Sequence, residues 1–360
     1  MAYPFTEDHD MIREAVRGWA QAWYDGGKGP ERVYQSGTGF DLEAWQALSG
    51  ELGMAGVAIK EEYGGAGLGD LGRVVVMEEL GASLCSVPFQ MAGGICTDIL
   101  QKLGTASGKS MYLPRIASGQ ICPTYVEGLD AFSIKESSLS GVVSMNAYGN
   151  AASHFLISFQ RDKKVSLGVV MAANPNIEVE QQKTLDPTRS LAKITFNNLS
   201  LDDVKVIGTT DRGRLQDIVD QSFIALAAEC VGGAQKCLDI TLEYAGQREQ
   251  FDRPIASFQA YKHRCADMFI ALEEARSATY AAAIARPDDK TEAALIAKVV
   301  AADAYFKIAG DAIQLHGGIG FTWEYPLHFF FKRARANRSI FGSTSRGYNK
   351  IADRIFGNAA

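Results

Sequence analysis

The sequence predicts a mainly helical chain interrupted by a small β domain, on three observations. Apolar residues recur at helical spacing from Glu7 to about Gly119. Short Val-, Ile-, Thr-, Ser- and Phe-rich runs take over from about Gln120 to Arg212. Long Ala-rich segments follow, with the lengths of several antiparallel helices. The 360 residues therefore divide into 1–119, 120–212 and 213–360.

In the first part, Met11, Ile12, Val16 and Trp19, and later Val74, Val75, Val76 and Leu80, carry the helical stripe. In the second, strands are expected at His154–Phe159, Val165–Met171 and Lys193–Phe196, punctuated by Asn, Gly, Asp and Lys. In the third, helices are expected over Ser222–Gly246, Tyr261–Ala285 and Thr291–Leu315, with a loop at Arg286–Asp289. No internal repeat or low-complexity tract interrupts this order.

Composition narrows the function classes. Lys plus Arg total 36 against 42 Asp plus Glu, a net charge of -6 without long like-charge runs, so nucleic acid is not expected as a partner. Six scattered cysteines, with no C-x-x-C and no cluster with histidine, argue against a disulfide scaffold and a zinc site; no metal is expected. They read as buried thiols of a reducing compartment. Met1–Asp10 carries charge where a secretory signal needs an apolar core, so a cytoplasmic protein without membrane association is expected.

Three segments depart from what packing alone asks. Leu52–Leu68 crowds glycines around a Glu-Glu-Tyr turn, and as pure structure these are turn makers. Tyr244–His263 ends a helix, then runs Arg248-x-x-Phe251 and Pro254. Arg248 reads either as a solvated charge or as a planar fork for a phosphate, with Phe251 anchoring the turn. Gln314-Leu-His-Gly-Gly-Ile-Gly-Phe321 reads either as a helix C-cap and loop, or as a place where Gly317 and Gly318 let main chain approach a ligand and Gln314 offers an amide.

Together and in this order, these segments resemble the acyl-CoA dehydrogenase family over nearly the whole chain. The resemblance runs from Glu62-Tyr-Gly-Gly-Ala-Gly-Leu-Gly69 and Glu78-Glu-Leu-Gly81, through Arg248-x-x-Phe251 and Phe258-Gln259, to Gln314-x-x-Gly317-Gly318-x-Gly320-Phe321. It implies an N-terminal helical domain, a middle β-barrel or sandwich and a C-terminal four-helix bundle. It also implies FAD chemistry: a carboxylate removes the α proton of an acyl-CoA thioester while the β hydrogen leaves as hydride to the flavin. In the family FAD is shared across a dimer interface, and the residues matching Arg248, Phe251, Gln314, Gly317 and Gly318 reach the diphosphate and adenosine of a flavin held mainly by the neighbouring subunit.

The family pattern fails elsewhere. Its Tyr-x-x-Thr-Glu-Pro-x-Ala-Gly-Ser-Asp segment corresponds to Ile121–Ser133, where only Thr124 and Glu127 hint at it. Its Trp-x-Thr-Asn-Gly segment appears as Met145–Ala152, without tryptophan or threonine. Its usual catalytic glutamate falls on Phe341 or Gly342; an alternative glutamate position falls on Ser222, and an arginine that contacts CoA on Phe223. No catalytic base is thereby identified. Asp217, Asp220 and Glu229 are nearby substitutes, Glu229 by returning to the helical face of Ser222. Surface charge for the aspartates and a buried polar pair for Glu229 are the favoured readings.

The expected function is thus the less catalytic subunit of a heteromeric, α2β2-type acyl-CoA dehydrogenase acting on bulky, steroid-like CoA esters. Its expected partners are an acyl-CoA, a second acyl-CoA dehydrogenase-like subunit and an electron-transferring flavoprotein. The alternatives are a homomeric dehydrogenase with a relocated base, or a non-catalytic assembly protein. His263, His316 and His328 read as hydrogen-bonding residues, Phe329–Phe331 with Lys332–Arg335 as a bundle or subunit contact, and Trp323 as packing.

Overall fold

The computed structural model describes residues 4–23, 29–161, 163–323 and 325–357. Its contacts group into two compact units, one of residues 1–30, 74–85 and 223–360, the other of residues 31–73 and 86–222.

The second unit carries the β structure. Eight strands form two four-stranded sheets: β1 (Pro123–Glu127), β4 (His154–Arg161), β5 (Lys164–Met171) and β8 (Lys205–Thr210) in one, and β2 (Phe132–Lys135), β3 (Ser138–Ala147), β7 (Leu191–Ser200) and β6 (Ile177–Gln182) in the other. Among the described residues only β1 and β4 pair in parallel; their register runs from Pro123↔His154 to Glu127↔Ser158. Phe155, Phe159 and Val170 from one sheet and Leu139, Ile194, Phe196 and Leu199 from the other share one core, so the domain is a sandwich. The three expected strands lie within β4, β5 and β7. Around the sheets stand α2 (Pro30–Ser36), α3 (Leu42–Gln46), α5 (Thr97–Leu103), α6 (Ala106–Ala117) and α7 (Arg212–Gln221). Thr105 caps α6 through its hydroxyl, and its amide donates to the Ile207 carbonyl at 2.6 Å, tying α6 to β8. The glycine-rich Leu52–Leu68 segment folds as two 3₁₀ turns, and a side chain at Gly65 would collide with the Ile59 carbonyl, so these glycines serve the fold.

The first unit contains α1 (Glu7–Trp23), most of α4 (Gly69–Ala82), α8 (Phe223–Gln247), α9 (Gln259–Ala283), α10 (Lys290–His316), α11 (Leu327–Asn337) and α12 (Thr344–Phe356). The three long helices match the predicted ones to within two residues at each end. Glycine at 81 and 232 lets α4 and α8 cross backbone to backbone, since a side chain at Gly81 would meet the Glu229 carbonyl and one at Gly232 the Glu78 carbonyl. Gly233 makes room for the buried Tyr305 ring of α10. Arg13 and Arg17, one turn apart on α1, bind the consecutive carboxylates Glu78 and Glu79 of α4 at 2.7–3.1 Å. Phe329 and Phe330 are buried and Phe331 stacks on Phe306 at 5.1 Å, making this stripe a bundle contact. Trp323 meets His328 and Phe329 edge-on but remains 57% exposed, so packing accounts for only part of it.

All six cysteines are buried, and burial pushes the Cys122 thiol up to about 12. Among the described residues no helix is long and apolar enough to cross a membrane, and no His, Cys, Asp or Glu cluster is arranged to hold a metal.

Candidate functional site

The Arg248 corner is a strained hairpin. Helix α8 ends at Gln247, and strands β9 (Glu249–Gln250) and β10 (Arg253–Pro254) pair antiparallel across Phe251-Asp252. Both central residues have positive φ, 56° and 60°, the geometry of a two-residue turn that usually takes Asn-Gly. A phenylalanine held left-handed is rare, and here its ring is 87% exposed, touching only Phe258 edge-on at 6.1 Å. The Arg253 guanidinium lies 4.1 Å over the Phe258 ring. Arg248 itself is exposed, and its guanidinium has no ion pair or hydrogen bond among the described residues.

The glycine elbow follows α10. Gly317 takes φ 64° and ψ -141°, closed to L side chains, and its amide donates to the Gln314 carbonyl. Gly320 folds back so closely that a side chain there would meet the Ile313 carbonyl at 2.7 Å. Gly318 differs: nothing lies within 4 Å of a side chain built on it, and its φ is not positive, so the fold gives no reason for a glycine there. Gln314 is exposed with an unpartnered amide among the described residues.

One side chain joins the two motifs. Tyr244, a helical turn before Arg248, stacks on His316, the residue before Gly317, with ring centroids 4.3 Å apart. Its hydroxyl reaches the His316 carbonyl through a long hydrogen bond of 3.5 Å, and the Tyr261 hydroxyl reaches the Leu315 carbonyl at 3.4 Å. The negative end of α10 points at the elbow, which disfavours a phosphate there and suits donors such as adenosine amino and hydroxyl groups. The exposed Arg248 guanidinium, unpaired among the described residues, is the group open to an anion. These residues fit the diphosphate–adenosine end of a dinucleotide. Tyr244 and His316 lie inside the two sequence motifs, yet the motifs alone assign them no such part; the four-residue spacing from Tyr244 to Arg248 is the one signal that points to it.

The positions of the missing base are closed. Phe341, at φ 57°, stacks nearly parallel on Phe223 at 5.7 Å, so the residues at the base and CoA-arginine positions fill each other's space. The buried Lys298 ammonium donates to the Gly342 carbonyl at 2.6 Å, Arg338 pairs with Asp303 at 2.7 Å, and the Thr344 amide donates to the Arg338 carbonyl. In the second unit, the Ser222 hydroxyl donates to Asp98 at 2.7 Å, and Asp98 accepts two bonds from Arg73 at 2.8 and 3.0 Å. Burial alone would raise the Asp98 carboxyl; Arg73, with Lys102 and Ser222, outweighs it and holds the group below its ordinary value. A glutamate at 222 would face that carboxylate.

The substitute carboxylates are all engaged. Asp220 is buried and accepts from Gln216 at 2.9 Å, which corrects its reading as surface charge: it lies on the inward side of α7. Glu229 forms a buried pair with Arg333 at 2.8 Å. Ser222 is the turn residue between α7 and α8, and Glu229 lies on α8.

In the β unit, Thr124 is buried with its hydroxyl donating to the Ala147 carbonyl at 2.8 Å, and Asn146 donates to the Tyr125 carbonyl at 2.8 Å, so these two side chains are turned inward and satisfied. Glu127 is exposed at the end of β1.

A cavity of about 860 Å³ in the first unit, lined in part by Arg13, Arg17, Glu78, Glu79, Arg276 and Tyr280, has no counterpart among the sequence expectations. Arg13 and Arg17 pair with Glu78 and Glu79 there; burial raises the Glu78 carboxyl, and Arg13 and Tyr280 work against it.

Comparison with known proteins follows these features. Residues 6–120 match the family model described as acyl-CoA dehydrogenase, N-terminal domain, and residues 215–356 the one described as acyl-CoA dehydrogenase, C-terminal domain. The acyl-CoA dehydrogenase IpdE2 of Mycolicibacterium smegmatis is 31% identical over 98% of this chain and 100% of its own. A chain of the ChsE4-ChsE5 complex from Mycobacterium tuberculosis superposes with a TM-score of 0.89 at 25% identity, covering 100% of both chains. A chain of the Tcur3481-Tcur3483 steroid ACAD, G363A variant, superposes with a TM-score of 0.86 at 26% identity, covering 98% of this chain and 99% of the other.

Proposed function

Because the chain belongs to the acyl-CoA dehydrogenase family, we propose that it is the less catalytic subunit of a heteromeric acyl-CoA dehydrogenase. It lends its arginine and elbow to an FAD whose ring, and whose catalytic carboxylate, belong to a second, homologous subunit. The observation that carries this reading is a contrast: Arg248 and Gly318 stand open and unpartnered, while Phe341 stacks on Phe223 where a base would be.

When bound, FAD supplies the hydride acceptor for α,β-dehydrogenation of the thioester. In this chain Arg248 would hold the diphosphate, and Phe251, Gln314, Gly317 and Gly318 would meet the adenosine. No side chain at 341, 342 or 222 can hold a proton for the reaction, so α-proton removal falls to the partner. The locked Asp220 and Glu229 speak against a homomeric enzyme with a relocated base. Likeness to a steroid ACAD supports a bulky, steroid-like CoA ester as substrate. An electron-transferring flavoprotein as acceptor, a cytoplasmic setting and the three-part division 1–119, 120–212 and 213–360 complete the reading.

The test is co-expression with a full-motif acyl-CoA dehydrogenase-like subunit. The complex is expected to carry flavin and oxidise acyl-CoA, while the lone chain does neither. Stoichiometric flavin and turnover in the lone chain would overturn the proposal. A purely assembling chain is distinguished by Arg248→Ala, which would then leave the flavin content of the complex unchanged.

A further inference from the structure

His316 closes α10 one residue before the elbow and is buried there. Its ring lies flat against Tyr244 at 4.3 Å and meets Tyr325 at 5.0 Å, while the Tyr244 and Tyr325 rings meet edge-on at 5.9 Å. Nδ1 lies 2.8 Å from the Ala312 carbonyl, which can only accept, so the neutral ring carries its proton on Nδ1. Nε2 is buried with no partner among the described residues. A buried lone pair is tolerable, whereas an N–H⁺ at the same place would have no acceptor among the described residues.

The groups facing the ring are Tyr244 from α8, Tyr325 from the segment before α11 and the Ala312 carbonyl of its own helix; Tyr261 of α9 reaches the neighbouring Leu315 carbonyl instead. Burial lowers the imidazole's affinity for a second proton, the Ala312 carbonyl opposes this more weakly, and no charged side chain among the described residues contributes. The stack thus joins the end of α8, which carries Arg248, to the end of α10, which carries the glycines.

We propose that His316 is a positioning residue for the dinucleotide-binding elbow: neutral and clamped between Tyr244 and Tyr325, it fixes the turn at Gly317 relative to Arg248, and its protonation loosens the elbow and releases the diphosphate–adenosine end of FAD. The proposal deepens, and rests on, the reading that this chain lends these residues to FAD. The sign follows from the buried Nε2: the elbow is held above the ordinary histidine value of 6.5 and loosens as pH falls below it.

The experiment has two arms. In the first, amide hydrogen exchange at Gly317–Gly320 is followed in the lone chain at pH 7.5 and 5.5, corrected for intrinsic rates, for wild type, His316→Phe and His316→Gln. Phenylalanine keeps the stack and loses the Ala312 bond; glutamine keeps a donor and loses the stack. Faster exchange at the elbow is expected at pH 5.5 in wild type and at both pH values in both variants, with α9 amides unchanged as the control for folding. Exchange that ignores both pH and substitution would overturn the positioning role, whatever the fate of FAD.

In the second arm, FAD retained by the complex with its partner subunit is read from its absorbance after desalting across pH 5.5–8. Each variant is expected to bind FAD about three- to tenfold more weakly, and the acid release seen in wild type should vanish in His316→Phe. An unaltered affinity or an unaltered pH profile would overturn the proposal. Retention of FAD by Arg248→Ala in the same assay would instead sink the reading of function, leaving the first arm to decide on His316.

Discussion

Two stretches of the same helical unit, both marked by the family resemblance, are built in opposite ways. At the Arg248 hairpin and the Gly317–Gly318 elbow the side chains are exposed, the guanidinium is unpaired and two residues are held left-handed. At residues 338–344, where Phe341 and Gly342 also have positive φ, contacts close within the chain: Phe341 on Phe223, Lys298 on the Gly342 carbonyl, Arg338 on Asp303. A chain that satisfies its own groups needs no ligand at that place, whereas one that holds a bare arginine on a strained turn gains nothing from it until something binds. The difference teaches that one stretch is already satisfied by the chain itself, while the other leaves its groups open to a ligand.

Breaking the closed side should cost the most. The Glu229–Arg333 pair is buried on both partners, so Arg333→Leu leaves an uncompensated carboxylate and should lower unfolding free energy by about 3–5 kcal/mol. Chemical denaturation of the lone chain measures it. The double variant Arg333→Leu, Glu229→Leu should recover most of that loss, and failure to recover would mean that the pair has a role beyond mutual neutralisation. On the open side the same measurement should show nothing: Arg248→Ala leaves the stability of the lone chain within about 0.5 kcal/mol. In the complex it should weaken FAD binding about 10- to 100-fold, as loss of charge-assisted bonds requires.

Phe341→Ala sharpens the contrast further. Removing half of a stacked pair from a half-buried loop should destabilise the chain by about 1–3 kcal/mol. Turnover of the complex should stay the same, because no proton is moved at this position. A drop in turnover per bound flavin would show that the closed loop still takes part in the reaction.

Much of this architecture is legible from residues alone, and the exceptions have physical causes. The three long helices and the strands around Phe155, Val169 and Ile194 follow from periodicity, which survives folding because each element presents one apolar face to a core. Asp220 departs from its expected exposure because an isolated aspartate carries no sequence mark of burial; its shelter comes from Gln216 and the orientation of α7. The break between α7 and α8 at Ser222 is not legible, because a helix break at a serine, unlike one at proline or glycine, leaves no signal. The Tyr244–His316 stack joins residues 72 positions apart and lies beyond any local pattern.

Acid should loosen the molecule. Burial is the main cause that lowers His9, His154, His316 and His328, so below 6.5 the unfolded chain takes up protons that the folded chain resists. Their contribution to stability is complete above 6.5 and is lost as pH falls toward their folded values, by up to about 1.4 kcal/mol for each tenfold loss of proton affinity on folding. Denaturation midpoints measured between pH 8 and 5.5 should fall, and His316→Phe should flatten that slope without abolishing it.

The smallest expected effect is the most discriminating. Gly317 and Gly318 are neighbours in one motif, yet only the first is demanded by backbone conformation. Gly317→Ala forces a side chain into a left-handed turn and should cost the lone chain about 1–2 kcal/mol. Gly318→Ala adds a methyl group to open space and should leave stability within about 0.5 kcal/mol. In the complex, however, that methyl group occupies the surface at which main chain is to approach the dinucleotide, so FAD affinity should fall while the thermal midpoint of the lone chain holds. A Gly318→Ala complex that binds FAD as wild type does would mean that the free face of the elbow is solvent and not cofactor, and the comparison between open and closed stretches would lose its functional meaning.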